Sequence, residues 1–240
     1  MSEIIKDVKR YAAKTISYIK RYGYPPLDDE KMKKYYPHRN SCFVLATGPS
    51  INKLDLTKLQ GKYVIGVNTA VDIPVDCVFY VVADKYVYQK HKKKLKNLPV
   101  MMCESAAKYW KDGPYLLPIK PLGSMNIFHK FAKRLSEGSY SGGTVVVHAL
   151  QIAYSLGFEK VFLLGVDCDY SQGHFDGRSA AEVGTAKGKM SSGDMDYVLR
   201  AFTLCKKAYE KDGRTIYNCN VYAKEHVFEK ISYESAIGLS

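Results

Sequence analysis

The stretch Cys42-Phe43-Val44-Leu45-Ala46-Thr47-Gly48-Pro49-Ser50 decides the fold. Five apolar residues in a row, with nothing polar alternating among them, describe a strand covered on both faces, and the Gly-Pro-Ser that ends them describes a tight turn. The pattern returns in YVIGV (63–67), CVFYVVA (77–83), VMMC (100–103), VFLLGV (161–166) and TIYN (215–218). Between these runs, residues 85–95, 125–135, 145–155 and 195–210 carry apolar side chains at helical spacing. The alternation predicts an α/β fold: a single Rossmann-like domain over 41–240, a mostly parallel sheet with helices on both faces.

Ahead of it, Ile4, Ile5, Val8, Tyr11, Ala12, Ile16 and Ile19 recur at helical spacing among lysines and arginines, up to Gly23 and Pro25-Pro26. Residues 1–40 are expected to form a basic amphipathic helix and linker, packed on the domain with a solvated basic face or facing an anionic membrane surface or partner. Residues 112–123 and 170–193, rich in glycine with proline or serine, resist assignment; the second is expected to be a lid or acceptor-side loop.

The 240 residues are 46% hydrophobic and 25% charged, a balance that supports a sizeable core. Lys and Arg total 36 against 24 Asp and Glu, a net charge of +12 that favours anionic partners. No apolar run approaches the ~20 residues of a membrane span, and MSEIIKDVKR lacks the apolar core of a signal peptide, so a cytoplasmic location is expected. The six cysteines stand singly, without a C-x-x-C pair, and are expected to be mostly buried free thiols. The lysine-rich run 90–96 is most simply the solvated face of a helix, and no nucleic-acid partner is expected.

Ligands of open α/β sheets bind beyond the carboxyl ends of the strands, so the residues that follow each strand are the candidates. These are Thr47-Gly48-Pro49-Ser50, then Asn68, Asp84, Asp167-Cys168-Asp169, and Asn218 with Asn220. Neither G-x-G-x-x-G nor G-x-x-x-x-G-K-[ST] occurs, so the dinucleotide fingerprint and the P-loop are both missing. Ser141-Gly142-Gly143-Thr144 precedes helix 145–155. It supplies either a phosphate seat at a helix N-terminus or an N-cap with glycines for close packing. Asp167 and Asp169 form a D-x-D that either binds a divalent ion or leaves Asp167 oriented by loop N–H groups. Among the histidines, His174 in the long loop is the candidate base, His148 belongs to the core, and His38, His91, His129 and His226 carry no special signal.

Taken in order and spacing, FVLATGPS (43–50) with VIGVN (64–68), SGGT (141–144) and LGFEKVFLLGVD (156–167) resemble one superfamily. It holds the bacterial CMP-sialic-acid-dependent sialyltransferases, the motility accessory factors of flagellin glycosylation and the archaeal 6-hydroxymethylpterin diphosphokinase-like proteins. The resemblance spans residues 42–237. It implies that Thr47, Gly48, Pro49, Ser50 and Asn68 hold a nucleotide, that Ser141, Gly142, Gly143 and Thr144 lie near the donor, and that Tyr170 approaches the leaving phosphate. It also marks departures: Asp84 stands where the sialyltransferases carry a second asparagine, and no histidine precedes helix 195–210 where they carry their base.

Two mechanisms follow from that resemblance. In one, a glycosyltransferase moves a sugar, a nonulosonic acid such as sialic acid, from a CMP donor to a glycan, lipid-linked or protein acceptor. His174 and Asp167 are then catalytic, Asp84 also binds the nucleotide, and no metal is required. In the other, a pyrophosphokinase uses ATP and Mg²⁺ held by Asp84, Asp167 and Asp169. A nucleotide-binding module without catalysis is the remaining alternative.

Overall fold

The computed structural model describes residues 40–103, 116–169, 173, 175–178 and 192–240, the backbone alone at 116–118 and 192–194. The N-terminal helix expected within residues 1–39 lies outside the described residues, as do Tyr170 and His174.

The strands, in chain order, are β1 (Ser41–Leu45), β2 (Val64–Val67), β3 (Phe79–Val82), β4 (Val100–Met102), β5 (Leu116–Pro118), β6 (Pro121–Ser124), β7 (Ser139–Ser141), β8 (Lys160–Leu164), β9 (Thr215–Asn218) and β10 (Glu229–Lys230). Among the described residues, eight of them form one sheet in the order β10-β9-β8-β1-β2-β3-β4-β5, and β6 pairs with β7 in a second, two-stranded sheet. Every pairing in the large sheet is parallel. The helices are α1 (Lys85–Leu95), α2 (Met125–Phe128), α3 (Val145–Ser155), α4 (Ser192–Lys211) and α5 (Tyr233–Leu239). The fold is the Rossmann-like α/β architecture that the sequence predicts.

The continuous apolar runs sort into two cores by strand alternation. On β1, Cys42 and Val44 face a layer containing Val147, Leu150 and Phe202, whereas Phe43 and Leu45 face Val87, Tyr88 and Tyr233. Helix α3 is buried over Val146–Tyr154, with the sheet on one side and α4 on the other, so its apolar character extends around the whole circumference. Helix α1 is amphipathic: Val87, Tyr88, His91 and Leu95 are buried, and its lysines form the solvated face that the sequence implies. Lys92, Lys93 and Lys94 occupy the last turn, where cations complement the helix dipole.

Helix 125–135 is shorter than its spacing predicts. It stops at Phe128, with His129 left-handed (φ 50°), and the chain then runs without regular structure to a single 3-10 turn at Leu135–Glu137. Side chains of α3 take over the backbone there. The Gln151 carboxamide oxygen accepts from the N–H groups of Ala132 (3.1 Å) and Tyr140 (3.0 Å), and the Ser155 hydroxyl accepts from Leu135 N–H (2.9 Å). The Gln151 amide donates to the carbonyls of Tyr140 (2.8 Å) and Val147 (3.0 Å), so this buried polar group is fully satisfied. Of the cysteines, Cys77 is partly buried and the other five are buried, all as free thiols. Among the described residues, no helix is long and apolar enough to cross a membrane.

Candidate active site

Strand order locates the site. The chain moves outward from β1 through β2, β3, β4 and β5, then crosses back to pair β8 on the other side of β1. Connections therefore diverge between β1 and β8, which opens a crevice beyond their carboxyl ends.

A cavity of about 510 Å³ occupies that crevice, within the usual size of a small-ligand site. Its walls are the turn after β1 (Thr47, Gly48, Pro49), Asn68 after β2, Asp84 after β3, residues 141–146 at the start of α3, and residues 165–169 after β8. Residues that lie far apart in the sequence are gathered because parallel strands end on one edge. Among the described lining residues, Asp84, Asp167 and Asp169 are charged and none is a lysine or arginine.

Asp167 is 7% exposed and held at three points. Ser50 donates its N–H to Oδ2 (2.9 Å) and its hydroxyl to Oδ1, and the Asn220 amide donates to Oδ1 (2.9 Å). The carboxylate is thus oriented by one loop N–H and two side-chain donors. Ser50 thus spends both donors on Asp167, and it is missing from the lining of the large cavity. Asp169 pairs with Lys224 (3.0 Å), and Asp84 caps α1 by accepting from Tyr86 N–H (2.7 Å). Among the described residues, no group of three or more His, Cys, Asp or Glu side chains is arranged to hold a metal ion.

The turn at Gly48 is closely built. Its N–H donates to the Gly165 carbonyl (2.9 Å), and a Cβ there would stand 2.5 Å from both that oxygen and Asp167 Oδ2. Two of the three non-glycine residues with positive φ among those described lie in the cavity wall, Asn68 (φ 46°) and Cys168 (φ 52°). Such backbone is costly for most L-residues, and asparagine tolerates it best. Asn68 Oδ1 also accepts from Ala83 N–H (3.4 Å), which ties the ends of β2 and β3 together.

Thr144 caps α3, its hydroxyl accepting from Val146 N–H (3.4 Å). A Cβ on Gly142 would lie 2.5 Å from Ala201 Cβ, and one on Gly143 2.9 Å from Tyr197 Cδ1, so these glycines let α4 approach. The capping and packing role foreseen for this segment is therefore real, and the same segment lines the cavity.

Among the lining residues not foreseen as site residues are His148, Tyr197 and Phe202. His148 is buried as expected of a core residue, yet it reaches the cavity, with Nδ1 2.7 Å from the Ser139 hydroxyl. Tyr197 and Phe202 enter from α4, and the Tyr197 hydroxyl bonds that of Ser124. Cys168, read with the strand-end residues, also lines the cavity; burial above all, with the charges of Glu225 and Asp167, pushes its thiol up to about 12, which keeps it protonated. Only the helical spacing of α4 hinted at Tyr197 and Phe202, and spacing says nothing of which end meets a ligand.

The long loop touches down on the turn. Gly173 lines the cavity, Phe175 N–H donates to the Thr47 carbonyl (2.9 Å), and the Asn52 amide donates to the Phe175 carbonyl (2.6 Å). Arg178 pairs with Asp176 and with Asp72 (3.4 Å).

A family model described as 6-hydroxymethylpterin diphosphokinase MptE-like matches residues 12–173. No curated protein and no solved structure matches the chain. The matched stretch contains β1 to β8 and the cavity wall they build, whereas Tyr197, Phe202 and Asn220 lie beyond it.

Proposed function

The chain belongs to the 6-hydroxymethylpterin diphosphokinase MptE-like family, and from that premise we propose that it is a nucleotide-dependent glycosyltransferase with a CMP-activated sugar as donor. The nucleoside lies against Gly48, Pro49 and Asn68, and the phosphate meets residues 142–144 at the start of α3. The sugar is a nonulosonic acid such as sialic acid, and the acceptor is a hydroxyl of a glycan, lipid-linked or protein substrate.

One observation carries this reading: the N-terminus of α3, residues 141–146, lines the cavity, and no lysine or arginine does so among the described residues. A helix start supplies about half a positive charge, matched to the single phosphate of a CMP leaving group and poorly matched to a triphosphate.

In the proposed step the acceptor oxygen attacks the anomeric carbon and the bond from that carbon to the phosphate oxygen breaks. His174 takes the acceptor proton, and CMP leaves with the bonding electron pair. Both sequence neighbours of His174 are anchored at the cavity, Gly173 in its wall and Phe175 on Thr47. Asp167 acts by holding the Gly48–Ser50 turn in shape.

A second reading is favoured by the family description itself: magnesium-dependent diphosphoryl transfer from ATP at the same crevice. It calls on Asp84, Asp167 and Asp169, which among the described residues form no group of three or more arranged to hold a metal ion. A thermal-shift panel of CMP, CDP, UDP, GDP and ATP, each with and without Mg²⁺, separates the two readings. Stabilisation by CMP without metal is expected; stabilisation only by ATP or a diphosphate with Mg²⁺ overturns the glycosyltransferase.

A further inference from the structure

Behind the turn after β1 lies a second cavity of about 330 Å³, between that turn and the loop after β9. Pro49, Gly165, Asp167 and Asp169 border both cavities, so the two hollows adjoin along the rigid Asp167 partition. Asn220 organises the far side. While its amide holds Asp167, its Oδ1 accepts from Tyr222 N–H (3.0 Å). The loop so turned leaves Tyr222 86% exposed and Val221 48% exposed at the rim. Lys53, also in water, is the cation of this wall among the described residues.

An aromatic face and an isopropyl group left in water at the rim of this hollow gain free energy when a ligand covers them. The surrounding chemistry narrows that ligand: amide and carboxylate groups suit hydroxyls, and a single lysine suits one negative charge. We propose that this second cavity is the acceptor site, and that it takes a sugar carrying one anionic substituent. The nonpolar C–H face of the sugar covers Tyr222, its hydroxyls bond Asn220 and Asp169, and its charge faces Lys53. That it serves as an acceptor site rests on the glycosyltransferase reading; that it binds an anionic sugar does not.

Saturation-transfer NMR with glucose 6-phosphate, glucuronic acid and lactose tests the site, with CMP-induced thermal shifts measured on the same samples. The first two probes separate a phosphate from a carboxylate as the charge, and lactose reports neutral sugar binding. Wild type is expected to bind at least one charged sugar in preference to lactose. Tyr222→Ala should weaken that binding roughly tenfold, Lys53→Ala should abolish the preference for charge, and CMP stabilisation should persist in both. Both residues are exposed, so the variants should fold normally. Absence of charged-sugar binding, binding unchanged in both variants, or displacement of the sugar by CMP overturns the site. Loss of CMP stabilisation while sugar binding follows the two variants overturns the glycosyltransferase reading and leaves the sugar site standing.

Discussion

Ser50 and Asp167, 117 residues apart, are joined by two hydrogen bonds, one from the serine N–H and one from its hydroxyl. With Asn220 they brace the turn after β1 against the loop after β8, across the crevice where ligand is proposed to sit. Asp167→Asn sets an amide nitrogen against groups that are themselves donors. A loss of about 1.5–3 kcal/mol is expected, read as a lower urea midpoint at constant m-value. An unchanged midpoint would remove the brace.

Gly48→Ala should be costly for reasons of space alone, because the backbone there is already extended (φ −67°, ψ 151°). The new methyl meets two oxygens at 2.5 Å, and overpacking of this kind costs about 1–3 kcal/mol. Gly238→Ala is the control: it meets nothing within 4 Å inside α5, and helix propensity should make it neutral or mildly stabilising. Equal melting temperatures for the two variants would contradict the close approach at Gly48.

Asn68 serves backbone and ligand in separable ways. Asn68→Ala pays the left-handed penalty of about 1–2 kcal/mol, which Asn68→Gly largely avoids. CMP affinity, measured by calorimetry, should fall in both. Retained affinity in the glycine variant would show that the side chain does not touch the nucleotide.

His91 gives the fold an acid-sensitive point, against the expectation that it carries no signal. It is 7% exposed on α1, with Nδ1 3.4 Å from Asp72 and a buried Nε2 that has no hydrogen-bond partner among the described residues. Burial lowers its pKa; Asp72 opposes that, and Arg178, Lys90 and Lys94 reinforce it. The unfolded chain takes up this proton near pH 6.5, whereas the folded chain does so only at lower pH. Stability from this group is therefore full above the unfolded value and declines as pH falls through it. Urea midpoints between pH 7.5 and 5.5 should slope less in His91→Gln than in wild type, and parallel profiles would refute the assignment.

His174→Ala should lower turnover by about 10²–10⁴-fold while leaving CMP affinity unchanged, as expected for a general base. Normal turnover would transfer the role to another group.

The large sheet was legible because strands buried on both faces announce themselves as unbroken apolar runs, CFVLA and VFLLGV above all. β6 and β7 gave no such signal: Pro121–Ser124 and Ser139–Ser141 are short, and Pro121 and Ser141 are only partly buried. The truncation of helix 125–135 was illegible for another reason, since its backbone hydrogen bonds go to Gln151 and Ser155 of α3. At the site, strand ends could be read because a parallel sheet gathers them on one edge. The bracing of Asp167 by Ser50 and Asn220 could not, because it joins side chains distant in sequence that meet only after the sheet forms. The same holds for Glu225, fully buried and satisfied by the Asn218 amide (2.8 Å) and the N–H groups of Val227 (2.8 Å) and Phe228 (3.2 Å).

The placement of β8 beside β1 also sets the order of events during synthesis. While the ribosome is still making the middle of the chain, β1 can pair with β2 but its other edge, carrying Cys42, Phe43, Val44 and Leu45, has no partner. That edge is a template for pairing with other nascent chains until β8 emerges and closes it. The brace on the turn after β1 needs Asp167, so it can form only after β8 has been made, and a polypeptide truncated ahead of β8 would carry both the adhesive edge and an incomplete site.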